Sequence, residues 1–155
     1  MPKRPALWPI ASVLAVLLAL HPTAVLADGQ FAKARLMVPK NDNKMQEVEG
    51  RLISDTTGKR VRFETGGRTA FEVPFESIKS ILYEKASKPR YTAGLLLAWP
   101  LLFTKSKKHY VTIQYADASG QGKFEIIRLD KGNFSLALAT LEADTGIKIE
   151  RTEER

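Results

Sequence analysis

Short runs of alternating apolar and polar residues, each followed by a turn rich in glycine, restrict this sequence to a β-rich fold. The run Arg60–Thr65 places Val61 and Phe63 on one side and polar residues on the other. The run Thr69–Phe75 repeats the alternation after Gly66-Gly67. Because successive side chains of a β-strand point to opposite faces, the two runs predict two strands joined by a hairpin turn.

The same alternation predicts about seven short strands in succession. The other five are Gln30–Val38, Glu47–Asp55, a strand containing Ile78, Ile81 and Tyr83, His109–Asp117 and Lys123–Leu129. Neighbouring strands joined by short turns pair antiparallel. The pattern therefore predicts one mainly β domain, an antiparallel sheet of about seven strands over residues 28–146. The side chains predicted to point into its core are Val61, Phe63, Phe71, Val73, Ile113 and Phe124, together with Leu138 and Leu141 of a helix that follows the strands.

A single helix is predicted after the last of these strands. Phe134, Leu138 and Leu141 recur at helical spacing, Asn133 suits the N-cap, and Gly146 suits the position just past the end. A helix with one apolar stripe can cap the open end of a curved sheet. The remaining residues, 147–155, form a charged tail that is predicted to fray.

The first 27 residues have the pattern of a secretory signal peptide. Lys3 and Arg4 precede the apolar run Ile10–Leu20, and Val25-Leu26-Ala27 offers a cleavage site before Asp28. Export to the periplasm, or to a membrane-associated position, is the expectation. The alternative is an uncleaved N-terminal anchor, since residues 6–27 are long enough to span a bilayer. The chain has no cysteine, which excludes thiol catalysis, zinc–thiolate sites and iron–sulfur clusters.

An apolar segment with cations on both sides interrupts the alternating pattern at residues 85–108. No acidic residue lies between Lys85 and Tyr115, and the whole chain carries a net charge of +7. The apolar side chains form the candidate contact surface, and the cations form its basic flanks. The contact residues are Tyr91, Leu95, Leu96, Leu97, Trp99, Leu101, Leu102 and Phe103; the flanks are Lys85, Lys88, Arg90, Lys105, Lys107 and Lys108.

Three roles are open for this segment, which we call the apolar finger (residues 91–103). As a helix it would be ~20 Å long, too short to span ~30 Å of hydrocarbon, and Pro100 favours a hairpin-like insertion. The basic flanks favour shallow insertion into a membrane surface, with anionic lipid as the preferred kind. The alternatives are docking into a protein partner, a second copy included, and packing against the domain's own core. Export argues against nucleic acid as the partner.

Four segments carry a resemblance to a known family: GRLISDTTGKRVRFET, VPFESIKSI, HYVTIQYADASGQGKFEIIRLD and the helix at 133–145. Their order resembles PH-like domains of the GRAM type, over roughly residues 47–146 by pattern. The sequence also resembles small exported bacterial proteins of unknown function. The resemblance implies a lipid- or protein-binding module and no catalytic residues. A five-stranded Sm-like or SH3-like barrel is the rival fold.

The sequence contains no recognisable catalytic, phosphate-binding or metal-binding motif. His109 has no nucleophile motif beside it, and the glycine turns lack the strand–loop–helix context of a phosphate-binding loop. The segment NDNK supplies one aspartate, too few for a calcium loop. The sequence thus predicts a protein that is not an enzyme and that has no cofactor, no catalytic residue and no metal site.

Overall fold

The computed structural model describes residues 28–40, 44–87 and 107–153. The predicted signal peptide, the apolar finger and the last two residues lie outside these ranges. Within them the chain forms eight strands, one short 3-10 turn and one α-helix. The elements are β1 (Gly29–Lys40), β2 (Lys44–Asp55), β3 (Arg60–Thr65), β4 (Arg68–Pro74), the 3-10 turn Phe75–Ser77, β5 (Ile78–Ala86), β6 (Lys108–Ala116), β7 (Gly122–Leu129), α1 (Phe134–Thr145) and β8 (Glu150–Glu153).

All eight strands belong to one sheet, in the order β4-β3-β2-β1-β7-β6-β5-β8. Every pairing is antiparallel except that of β5 with β8, which is parallel. The prediction of a mainly β fold with a C-terminal helix is confirmed. The sheet has eight strands instead of seven, which also exceeds the five-stranded barrel considered as the rival.

The sheet curves back on itself. β4 and β5 are six inter-strand steps apart in the sheet, yet only the three-residue turn Phe75–Ser77 connects them along the chain. In a flat sheet, six steps of ~4.8 Å would separate the strands by about 29 Å. The connection from Pro74 to Ile78 spans at most ~14 Å. The two ends of the strand order must therefore approach each other.

The main core lies on the inner face of this curved sheet. It holds Phe63, which is fully buried, together with apolar side chains from every strand from β1 to β7. The helix α1 adds Ala137, Leu138 and Leu141 from one side. Of the side chains predicted to point inward, Val61, Phe63, Val73, Ile113, Leu138 and Leu141 do so fully, and Phe71 packs against them half-buried.

Phe124 is an exception, because it packs against a second cluster formed by Met37, Tyr110 and Ile126. The prediction that Phe124 points into the main core was wrong, because its side chain lies on the opposite face of β7. In β7 the inner positions belong to Ile127 and Leu129, whose parity is opposite to that of Phe124. Both faces of this strand are partly apolar, so alternation alone could not select the register.

The C-terminal tail does not fray as predicted. Residues Glu150–Glu153 form β8 beside β5, with Leu82 opposite Glu150 and Lys85 opposite Glu153. Ile149, just before β8, is 3% exposed and belongs to the main core. Burial of this side chain between α1 and β8 anchors the segment, and its flanking charges stay at the surface.

Candidate functional site

The strands β5 and β6 bring both ends of the 85–108 insertion together. Ala86 pairs with Lys108, and Lys85 pairs with His109. Lys85, Lys107 and Lys108 therefore lie at one end of the sheet, as an insertion between paired strands requires. The predicted contact residues Tyr91, Leu95, Leu96, Leu97, Trp99, Leu101, Leu102 and Phe103, and the flanking Lys88, Arg90 and Lys105, lie outside the described residues.

An open cleft of about 310 Å³ lies at this end of the sheet. Four parts of the chain build it: β1, β2, the start of β6, and the end of β7 with the turn that follows. Six cations and two carboxylates line it, so the cleft is strongly basic. The lining residues are Lys33, Arg35, Glu49, Lys107, Lys108, His109, Arg128, Leu129, Asp130 and Lys131. We call this the basic cleft.

Glu47 joins three of these cations. Nη1 of Arg128 lies 2.6 Å from both of its carboxylate oxygens, Nη1 of Arg35 lies 3.0 Å from Oε2, and Nζ of Lys108 lies 3.9 Å from Oε1. Burial opposes the ionisation of this carboxylate, but the neighbouring cations outweigh it and hold the pKa of Glu47 below its ordinary value. Arg35 also reaches Glu49 at 3.3 Å. These cations are thus fixed in position by carboxylates.

Lys33 enters the cleft from an irregularity in β1. The register with β2 shifts between Phe31 and Ala34, and Lys33 has a φ of 59°. A left-handed conformation is unfavourable for a residue with a Cβ, and an extra residue in a strand changes the direction of its side chain. The side-chain amide of Asn133 donates a hydrogen bond of 3.0 Å to the carbonyl of Ala32, which ties the bulge to the start of α1.

His109 forms the inner wall beside the basic cleft and is 7% exposed. Its Nδ1 lies 2.7 Å from the hydroxyl of Tyr83, and its ring stacks on Phe134 with a centroid distance of 3.7 Å. Burial lowers the pKa of His109, and the charges of Lys85 and Lys131 lower it further. The imidazole is therefore neutral at pH 7, and it links β5, β6 and the first turn of α1.

Sequence reasoning found only part of this site. It selected Lys85, Lys107 and Lys108 because they flank the finger. It missed Lys33, Arg35, Arg128 and Lys131, which reach the same place from β1, β7 and the following turn. The pairing of β1 with β7 brings Arg35 opposite Arg128, and these residues are 93 positions apart in the sequence. No local sequence pattern predicts such a pairing.

Two further observations concern metals and membranes. In the parts of the chain that the structure describes, no group of three or more histidine, aspartate or glutamate side chains is placed to hold a metal ion. Across 28–40, 44–87 and 107–153, no helix has the length and apolar character needed to cross a membrane.

The sequence matches no family model and no curated protein. The fold is similar to a solved structure, the hSac2 domain from the human phosphoinositide phosphatase Sac2. The two share 13% sequence identity with a TM-score of 0.50, and the match covers 96% of this chain and 92% of the other. At this identity the likeness shows a common fold alone, and it extends over nearly the whole of both chains.

This likeness corrects the prediction that the chain is not an enzyme. That prediction rested on the lack of a catalytic signature and on a resemblance to binding modules. The matched domain, however, is part of a phosphatase, so a fold of this type occurs within an enzyme. Membership of such a fold is therefore no ground for excluding catalysis, and a shared fold by itself assigns no reaction either.

Proposed function

We propose that this chain is an exported module that associates peripherally with an anionic membrane surface. The basic cleft and the apolar finger act together, the first by attraction and the second by shallow insertion. The observation that carries the proposal is the convergence of Lys33, Arg35, Arg128 and Lys131 on the end of the sheet where the 85–108 insertion leaves β5 and returns to β6. A PH/GRAM-like fold is part of the proposal, supported by the succession of antiparallel strands and the helix that follows them.

The electrostatic part follows from the number of cations. The cleft is lined by six cations and two carboxylates, and Lys85 adds one more cation at the same end of the sheet. Each cation close to an anionic leaflet contributes about 1 kcal/mol, and the attraction fades within a Debye length of ~8 Å at physiological salt. A surface with this many cations should therefore bind anionic membranes more strongly than neutral ones.

The apolar part follows from the sequence of the finger. Residues 91–103 include Trp99 and Tyr91, side chains that favour the membrane interface, and several leucines that favour the acyl boundary. A fully buried leucine contributes roughly 1.5–3 kcal/mol of transfer free energy. Shallow insertion of a few such side chains, together with the attraction of the cleft, is enough for reversible binding.

The hSac2 domain, which has a similar fold, comes from a protein named for a lipid substrate. That protein is called a phosphoinositide phosphatase, so it acts on a lipid that carries phosphate groups. This is a property of the neighbour, and the proposal for the present chain rests on its own basic cleft.

Co-sedimentation with vesicles tests the proposal. We expect the purified protein to bind vesicles of phosphatidylcholine mixed with phosphatidylglycerol and to bind pure phosphatidylcholine weakly, with salt reducing the difference. Replacing Lys85, Lys107 and Lys108 with glutamate should weaken binding to the anionic vesicles. A matched variant with Arg68, Lys79 and Lys148 replaced by glutamate has the same charge and should bind much better, because these exposed residues lie away from the cleft.

The double variant Leu96→Asp/Trp99→Asp separates the alternatives for the finger. If the finger inserts into lipid, vesicle binding is lost while the melting temperature stays within about 2 °C, since surface substitutions change stability little. A large fall in melting temperature shows instead that the finger packs against the domain. Loss of an oligomer, with no lipid binding in the parent protein, shows a subunit interface.

Export is tested separately by N-terminal sequencing. We expect the exported protein to begin at or near Asp28. A full-length species that stays in the membrane after an alkaline wash would favour the N-terminal anchor.

A further inference from the structure

Five of the six cations of the basic cleft fall into two groups. Arg35, Arg128 and Lys108 are held by Glu47 and Glu49. Lys33 and Lys131 are exposed, and neither forms an ion pair with a carboxylate within the described part of the chain. We propose that Lys33 and Lys131 bind a phosphate monoester dianion over the two arginines. This inference rests on the proposed function and names the ligand of the same cleft.

The arginines provide a fixed floor for such a ligand. Glu47 engages Nη1 of Arg128, and no carboxylate in the described ranges engages its other nitrogens. A guanidinium has five N–H donors in a rigid plane, so donors remain after one carboxylate is bound. Because Glu47 already orients this guanidinium, less entropy is lost when a phosphate oxygen binds to it.

The bulge in β1 sets the backbone position from which Lys33 reaches the cleft. The strand pairs regularly with β2 on both sides of the shift, and Asn133 holds the carbonyl of Ala32. Backbone in a left-handed conformation persists only where the surroundings determine it, and such residues occur often at binding sites. The left-handed position of Lys33 thus lies in the lining of the cleft that also includes Arg128 and Lys131.

The turn after β7 places Lys131 in the lining of the same cleft. Asp130 closes this turn through its own groups: its Oδ2 accepts the N–H of Gly132 at 2.9 Å, and its carbonyl accepts the N–H of Phe134 at 3.0 Å. The Asp130 carboxylate therefore has a structural role in the turn although it lines the cleft. Asp130, Glu49 and the nearby Glu47 would repel an anion, but the six cations of the cleft outnumber these three carboxylates.

The ligand's chemistry follows from this arrangement. A phosphate monoester carries nearly two charges and three terminal oxygens, enough to meet two amines and a guanidinium at once. A phosphodiester has one charge and two terminal oxygens, so it can contact fewer of these cations. The cavity of about 310 Å³ leaves room for the group esterified to the phosphate. The source of the monoester is either a lipid head group or a free phosphate compound.

Variants at left-handed positions give a matched test. Lys33→Gly removes the amine and suits the positive φ, and Lys131→Ala removes the second amine. Lys59 also has a positive φ, of 50°, and is exposed outside the cleft, so Lys59→Gly is the control. The probes are inorganic phosphate by calorimetry, and vesicles with phosphatidic acid or phosphatidylglycerol at equal surface charge.

We expect inorganic phosphate to bind, and phosphatidic acid vesicles to bind better than charge-matched phosphatidylglycerol vesicles. Lys33→Gly with Lys131→Ala should weaken both effects at least about tenfold, the loss expected for two charge-assisted hydrogen bonds, whereas Lys59→Gly should leave them within about twofold. Phosphate binding without a lipid preference supports the site with a free compound as its source. Phosphate binding with no vesicle binding at all supports the site and overturns the proposed membrane role.

Equal binding to both kinds of vesicle, with no phosphate binding, overturns the monoester site and leaves the membrane role standing. Unchanged phosphate binding in the double variant also overturns it, because the ligand then lies elsewhere.

Discussion

Arg35 and Arg128 stand directly opposite each other on β1 and β7, with the carboxylate of Glu47 in contact with both. Like charges at opposed positions of an antiparallel pair destabilise it. Glu47 comes from β2, on the far side of β1, and its carboxylate offsets the repulsion. The pairing of β1 with β7 closes the central part of the sheet, so one carboxylate supports both the fold and the basic cleft.

Glu47→Gln should therefore destabilise the protein by about 1–3 kcal/mol, because it removes the carboxylate shared by two opposed guanidinium groups and leaves Arg35 with only the exposed Glu49. The free energy of unfolding in urea measures this. Glu49→Gln is the control: within the described residues Glu49 forms an ion pair with Arg35 alone, and it is 64% exposed in its side chain, so its loss should cost less than about 0.5 kcal/mol. Equal losses in the two variants would contradict the bridging role of Glu47.

The stability that Glu47 contributes should decrease as the pH falls. The pKa of Glu47 is lower in the folded protein than its ordinary value, so the unfolded chain binds the proton more readily. Its contribution is present above the ordinary glutamate pKa of about 4.3 and is lost as the pH falls through the lower folded value. The loss of stability between pH 5 and pH 3 should thus be smaller in Glu47→Gln than in the parent protein.

Phe63 tests the register of the inner face. It is fully buried on β3 and stacks on Phe71 at 6.0 Å. Phe63→Ala should cost about 3–5 kcal/mol in chemical denaturation, because it leaves a large cavity. Leu136 on α1 is 64% exposed, so Leu136→Ala should cost less than about 1 kcal/mol. A loss below about 1 kcal/mol for Phe63→Ala would contradict its place in the core.

The strands that could be predicted from the sequence are those with one apolar face. Arg60–Thr65 alternates strictly, and its structure agrees with its pattern to the residue. In β7 both faces carry apolar side chains, which is why Phe124 was placed on the wrong one. The pairing of β1 with β7 was not predictable either, because it joins distant segments without a shared turn. Half of the basic cleft depends on that pairing.

The eighth strand was missed because its own residues are charged. Glu150–Glu153 has no apolar member, and its position depends on Ile149 before it and on the free edge of β5. Ile147 and Ile149 were the signal that could have indicated it. Ile147 packs half-buried against the main core, and Ile149 belongs to it.

Ile149→Asp should consequently release β8 and destabilise the domain by about 3 kcal/mol or more, because it places a charge among buried apolar side chains. Hydrogen exchange should then show faster exchange along Leu82–Lys85, the residues of β5 opposite β8. Arg151→Ala is the control, since Arg151 is 58% exposed in its side chain and contacts only Glu142 among the described carboxylates. Slow exchange at β5 in the Ile149 variant would show that β8 is not anchored by this residue.

His109 should make the protein less stable in mild acid. Its pKa is lowered in the folded state by burial and by Lys85 and Lys131, whereas the unfolded value is about 6.5. The unfolded chain therefore takes up the proton first, so the contribution of the neutral imidazole is complete above pH 6.5 and declines as the pH falls towards the folded value.

The residue offers a clean measurement because the chain has two histidines, and the other, His21, precedes Asp28. In protein that begins at Asp28, the fall in unfolding free energy between pH 7.5 and pH 5 should largely disappear in His109→Phe. That variant keeps an aromatic ring on Phe134 and loses the contact with the Tyr83 hydroxyl. Tyr83→Phe is the control: it removes the same hydrogen bond and keeps the imidazole, so it should retain the pH dependence. If His109→Phe retains it as well, a group other than this imidazole causes the acid sensitivity.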